Sequence, residues 1–476
     1  MEVTTTALAD DSLARMSRPA VLPRTLGFRE GLAVLVGIII GSGIFRGPGK
    51  VLAACGTPGW TLTAWIAGGV LSFIGALVVA ELCARLPRAG GTYAFLKEAW
   101  GAPSAFAFAV SALIAFKPLA IAGIARVCGE HALIACGVRD PSAALVGATS
   151  VGFVAALTLF NIRGVRGSAR LQVVATLAKA VALGAVIVAA WWYGDGGGFR
   201  PVSGAAAIPS ATAFAGALAA VLWAYDGWAD LGYLAGEVKE PARVLPRLFA
   251  VGLMIVAAFY LAANLAYLSA LPPDRMAAGK TVAVDALSGL LGSGAAVTAA
   301  AAAIAVSTFG ALNASILSGG RIPYAAAADG LLPAKLARLD AAGTPTAALA
   351  IQGGLSAVLA ASATFEDLAD AFIVTTWAWY VPMAIAAVKL RRTAGGPIAG
   401  NYAMPWYPWP VVVFVVAATL FLGLRFAADP LAKVAAGFTV ATWVVGRLVH
   451  GRIKESGASN RGDPRRDLPE DPPVGS

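Results

Sequence analysis

Twelve apolar runs follow one another along this chain, at about 28–55, 60–86, 102–136, 142–162, 170–194, 210–236, 248–270, 291–328, 344–362, 365–390, 407–427 and 430–450. About 20 apolar residues wound as a helix cross the hydrocarbon core of a bilayer, where only helices or closed barrels satisfy their own backbone. The succession therefore predicts an all-α polytopic membrane protein with 12 transmembrane helices. Composition agrees: 58% of the 476 residues are hydrophobic and 13% charged, against about 25% charged in a soluble domain. The third and eighth runs are longer than a bilayer requires, so they tilt or project beyond it.

The net charge of +10 does not point to nucleic acid, because the charge is sorted by loop. With the N terminus inside, 25 of the 36 Lys and Arg residues fall in inner segments, 8 in outer loops and 3 within spans. The positive-inside rule then places both termini in the cytoplasm of a multi-pass protein of the cell (inner) membrane, with the lipid bilayer as its surroundings. Residues 1–27 are polar, lack the apolar core of a signal peptide and read as a cytoplasmic tail. Residues 451–476, polar and Pro-rich, read as a disordered cytoplasmic tail. Cys55, Cys83, Cys128 and Cys136 show no CxxC spacing, and His131 and His450 are too few for a histidine metal site. No metal or cofactor is expected. No span joins a nucleophile to a base, so an enzyme is not expected either.

Residues Gly37–Gly47 read "GIIIGSGIFRG" inside the first run. Glycine costs about 1 kcal/mol relative to alanine in a helix interior. Gly37 and Gly41 have the spacing of a close helix–helix contact, and a helix break is the competing explanation. The sixth run weighs for the break, because Trp223-Ala224-Tyr225-Asp226-Gly227-Trp228 lies near its centre. Matching interruptions in the first helix of each half mark transporters built of inverted repeats, whose site lies at the bilayer midplane. The division expected is 28–200 as the first repeat, 201–392 as the second, and 393–450 as two added helices. A broken helix presents N–H groups that suit an anion and C=O groups that suit a cation. A zwitterion fits both, and a free amino acid is the simplest one.

Four stretches together resemble the amino acid–polyamine–organocation superfamily: "GIIIGSGIF", "ELCARLPRAGGTYAFLKEAWG" (81–101), "LWAYDGWADLGYLAGEVKEPARVLP" (222–246) and "STFGALNASILSGGRIPYAAAADGLLP" (307–333). Within it the chain looks most like bacterial relatives of the L-type amino acid transporters, over about Arg24 to Arg392. The resemblance implies a five-plus-five inverted-repeat (LeuT-like) fold with discontinuous helices 1 and 6, working by alternating access. It further implies that Gly41, Ser42 and Gly43 hold the substrate carboxylate. The carbonyls of Ile39, Trp223 and Asp226, beside Gly227, would receive the ammonium, and the Trp223 ring would act as an outer lid. Lys179 would replace the sodium ion that some relatives bind, with Ser307 and Thr308 at the matching hydroxyl positions. The function implied is sodium-independent transport of amino acids, by exchange or with protons, and small or neutral L-amino acids are the favoured substrates. A cationic amino acid or polyamine antiporter, and a non-transporting amino acid sensor, are the alternatives.

Charges within spans are costly and mark function by default. Asp226 could meet a cationic side chain or pair internally with Lys117. Lys117, just before Pro118, could set selectivity against lysine and arginine. Asp230 is read as lining the cytoplasmic gate and Arg126 as structural. Trp377, Trp379 and Tyr380 either border the site, Trp377 then bearing on selectivity, or form an interfacial belt. Cys136 lies in the outer loop where animal heteromeric members bond a heavy-chain glycoprotein, but "ACGVRDP" does not otherwise match, and no such partner is expected.

Overall fold

In a computed structural model, the structure describes Arg24 and residues 26–459, apart from 164, 195, 280, 292, 293, 341, 342 and 399; the side chains of 165–172, 193, 288–291 and 450–459 are not described. The expected tails at 1–23 and 460–476 lie outside these residues. Among the described residues, nineteen α-helices follow one another. The first half comprises α1 (Phe28–Ile39), α2 (Gly43–Cys55), α3 (Pro58–Arg85), α4 (Thr92–Trp100), α5 (Ala102–Ser111), α6 (Lys117–Ala135), α7 (Ala143–Ile162) and α8 (Val165–Tyr193). Then come α9 (Ala211–Tyr225), α10 (Trp228–Tyr233), α11 (Pro241–Ala270), α12 (Pro273–Ala278), α13 (Val282–Leu291), α14 (Gly294–Gly319) and α15 (Arg321–Ala328). The chain closes with α16 (Thr346–Ser362), α17 (Phe365–Thr393), α18 (Trp409–Ala428) and α19 (Pro430–Ser459). Among the described residues there is no strand, only an isolated bridge between Leu26 and Val238.

Nine of the described spans are long and apolar enough to cross a membrane, two of them made of α5 with α6 and of α14 with α15, and α1 with α2 passes as a tenth, bent by 41°. The other two expected spans are α9 with α10, broken at Asp226–Gly227, and the 17-residue α16. The third and eighth are long, as their sequence predicts, at 34 and 35 residues. Helix α19 runs on to Ser459, nine residues beyond the expected end of its span.

Lipid offers helices no hydrophobic reason to associate, so packing and internal hydrogen bonds hold such a bundle together. Small residues bring the two broken helices into contact. A Cβ on Gly43 would lie 2.4 Å from Ala224 Cα, and one on Gly227 would lie 2.4 Å from Ile38 Cγ2. Gly227 also has φ +109°, a conformation that glycine alone adopts without strain.

Between α5 and α6 the helix widens into one π-helical turn, Ala112–Phe116, immediately before Lys117 and Pro118. Pro118 has no N–H to give the ladder. The wider turn accommodates that loss without ending the span.

Ion pairs tie the two ends. At one face Glu81 accepts from Arg85 at 3.0 Å and Arg391 at 3.3 Å, and Arg321 pairs with Glu237 at 3.0 Å. At the other face Arg46 bonds Glu130 and, at 3.1 Å, Glu366, while Lys50 meets Asp370 at 3.4 Å.

Candidate functional site

The break in the first span frees backbone groups on both sides. The N–H groups of Gly41, Ser42, Gly43 and Ile44 have no acceptor among the described residues. They sit at the start of α2, where the helix dipole favours negative charge. On the carbonyl side, Lys179 Nζ from α8 donates to Gly37 O and Ile40 O, each at 2.8 Å, and the lysine is fully buried. The Tyr260 hydroxyl from α11 lies 2.9 Å from Ile39 O and 2.8 Å from Ala224 O, so one side chain bridges both broken spans.

Where the breaks meet there is a cavity of about 40 Å³, lined by Gly41, Ser42, Gly43, Trp223, Asp226 and Gly227 together with residues of α6 and α14. One water needs roughly 10–15 Å³ of such space, so in this conformation the cavity has room for only a few waters. The Trp223 indole closes one side: its Nε1–H donates to Ser42 Oγ at 3.1 Å, and its ring packs edge-on to Phe365 and Phe372. Beyond Trp223 lies a wider vestibule of about 300 Å³, lined by Arg46, Lys50, Glu366 and Asp370 among others.

Most of the expected residues therefore converge, and several details are corrected. Lys117 does not pair with Asp226. Its ammonium lies 2.6 and 2.5 Å from the two carboxylate oxygens of Asp230, on α10 beyond the break. The Asp226 carboxylate instead accepts from the Tyr380 hydroxyl at 3.1 Å. Ile39 O is already engaged by Tyr260, and Trp223 O accepts the Asp226 N–H at 3.3 Å.

Ser307 and Thr308 are buried on α14, but neither bonds Lys179. Thr308 donates to Ile304 O and Ala305 O of its own helix, and Ser307 Oγ has no partner among the described residues. Trp377, Trp379 and Tyr380 are buried inside the protein, so they form no belt. Trp377 stacks on Phe414 at 5.5 Å and does not line the cavity. Arg126 donates to Ala143 O and Ala360 O at 3.2 Å, a structural tie between α6 and its neighbours. Cys136 is a free, exposed cysteine.

Tyr260 and Ser318 escaped the sequence reading. A tyrosine in an apolar aromatic-rich run and a serine in an Ala/Ser-rich one have no pattern to distinguish them.

The sequence comparisons decide the family. A sequence model described as amino acid permease matches residues 26–446. This chain is an amino acid permease. It is an L-type-like member of the amino acid–polyamine–organocation superfamily, whose matched relatives are transporters rather than enzymes. The serine/threonine exchanger SteT of Bacillus subtilis is 30% identical over 92% of this chain and 98% of its own. The b(0,+)-type amino acid transporter 1 of Mus musculus is 30% identical over 84% of this chain and 82% of its own. The Asc-type amino acid transporter 1 of the same species is 29% identical over 87% and 79%.

Proposed function

We propose that this permease exchanges small neutral amino acids, serine and threonine among them, across the cytoplasmic membrane without sodium. The observation that carries the reading is the pairing, at one broken span, of four free N–H groups with a lysine ammonium on the freed carbonyls. The substrate carboxylate docks on the N–H groups of Ser42 and Gly43, displacing the indole N–H from Ser42 Oγ. Its ammonium lies toward the Asp226 end of α9, where the helix C-terminal dipole and the carboxylate favour positive charge. Lys179 fills the place of a coupling cation, so that the break is satisfied without one. Trp223 and the ion pairs above it form the outer closure; the Glu81 cluster and the Leu26–Val238 bridge form the inner one. The two halves, 28–200 and 201–392, move as inverted repeats, and both termini face the cytoplasm, as the distribution of Lys and Arg supports. The small cavity and the similarity to a serine/threonine exchanger support the substrate class.

The test is uptake into proteoliposomes of labelled alanine, serine, leucine and arginine, with and without internal amino acid, sodium or a proton gradient. Serine uptake that needs internal amino acid and ignores sodium is the expected result. Uptake driven by sodium, or saturable binding with no transport, overturns the reading.

A further inference from the structure

The lysine of α6 raises a separate question. Lys117 is buried, and its Nζ bonds both oxygens of Asp230 and lies 3.5 Å from Ser318 Oγ, which itself donates to Asp230 at 2.8 Å. The ammonium also lies 5.0 Å over the Tyr233 ring. Three elements, α6, α10 and α14, thus meet in one cluster. Lys117, Asp230 and Ser315 border the same cavity as Ser42 and Asp226. Burying two charges is expensive and often contributes nothing net to stability, so a hydrophobic pair would hold three helices together as well. What a charge pair adds here is electrostatic: it fixes the charge that a substrate side chain meets.

We propose that Lys117 is the charge selector of the cavity, acting by cancelling Asp230. The proposal rests on the cavity being the substrate site. Lys117 bonds only Asp230 of the two carboxylates that border the cavity, Asp226 accepting from Tyr380. With Lys117 present, a short uncharged or hydroxylated side chain meets a neutral pair and can hydrogen-bond to it. A cationic side chain meets the Lys117 ammonium and would have to compete with it for Asp230. Without Lys117, Asp230 is a bare carboxylate in a low-dielectric cavity, which is the environment that attracts a cation most strongly.

Homoserine and 2,4-diaminobutyrate are the probes, because they differ only in a terminal hydroxyl against an ammonium. The readout is the ratio of diaminobutyrate to homoserine counterflow in proteoliposomes, supported by ligand-induced thermal shifts of the purified protein in detergent. Lys117→Met should raise the ratio about tenfold, equivalent to ~1.4 kcal/mol. Asp230→Asn should lower it, since Lys117 then faces the cavity uncancelled. The double variant Lys117→Met/Asp230→Asn restores the wild-type net charge and should restore the wild-type ratio. Should the single lysine variant fail to fold, the Asp230→Asn and double variants carry the test, neither burying a bare carboxylate at position 230. A ratio unchanged in every folded variant overturns the proposal, and so does a double variant whose ratio departs from wild type as far as that of Lys117→Met, which would indicate volume rather than charge. Absence of homoserine counterflow in the wild type overturns the proposed function instead.

Discussion

Lys179 satisfies two carbonyls that the break leaves without helical donors. Removing one partner of a buried hydrogen bond costs about 1–3 kcal/mol for each polar group stranded. Lys179→Met should therefore lower serine transport at least about tenfold, with equal amounts of protein in the membrane; restoration of that activity by added sodium would place the ammonium in a cation's position. Trp223→Phe keeps the ring against Phe365 and Phe372 but loses the hydrogen bond to Ser42. It should lower the KM for serine, which then has no indole N–H to displace from Ser42, with an unchanged size-exclusion profile; uptake kinetics check it. At this scale Lys179 and Trp223 were legible in the sequence, since an ionisable residue in an apolar run and an aromatic at a helix break both stand out. The partner of Lys117 was not legible, because Asp226 and Asp230 are four residues apart on either side of the break, and only the geometry of the break chooses between them. Tyr260 was invisible for the opposite reason, being one more aromatic in an apolar helix.

At the level of the helices, the two breaks depend on glycines that no other residue replaces. Gly227→Ala combines a positive φ, a strain of about 1–3 kcal/mol, with a collision against Ile38. Gly43→Ala collides with the backbone of Ala224, which cannot move aside as a side-chain tip can. Both should lower the Tm of the purified protein and abolish uptake. Gly184→Ala, in mid-helix with open space around it, should leave Tm unchanged or raise it, since alanine is favoured there by up to about 1 kcal/mol. The breaks themselves were legible from glycine placement and from their repetition in the two halves. The π-turn before Pro118 was not, because proline signals a disturbance without saying how the helix will absorb it.

For the whole molecule, closure at each face depends on charges drawn from different helices. Arg46 joins α2 to Glu130 of α6 and Glu366 of α17, and Arg46 and Glu366 line the vestibule. Glu366→Gln should loosen that closure, and a cysteine introduced at Ala277 should then react faster with a membrane-impermeant thiol reagent from outside; an unchanged rate would place the latch elsewhere. The succession of the spans was legible in the hydropathy pattern. The pairing of the ion clusters was not, since their partners are separated by up to 320 positions. The central claim is that substrate lies between the two breaks, and a structure determined with serine bound tests it most directly. The serine carboxylate is expected within hydrogen-bonding distance of the Ser42 and Gly43 N–H groups, with Trp223 Nε1 no longer on Ser42 Oγ. Serine held only in the vestibule, with the Trp223–Ser42 hydrogen bond intact and the inner cavity holding water, would contradict it.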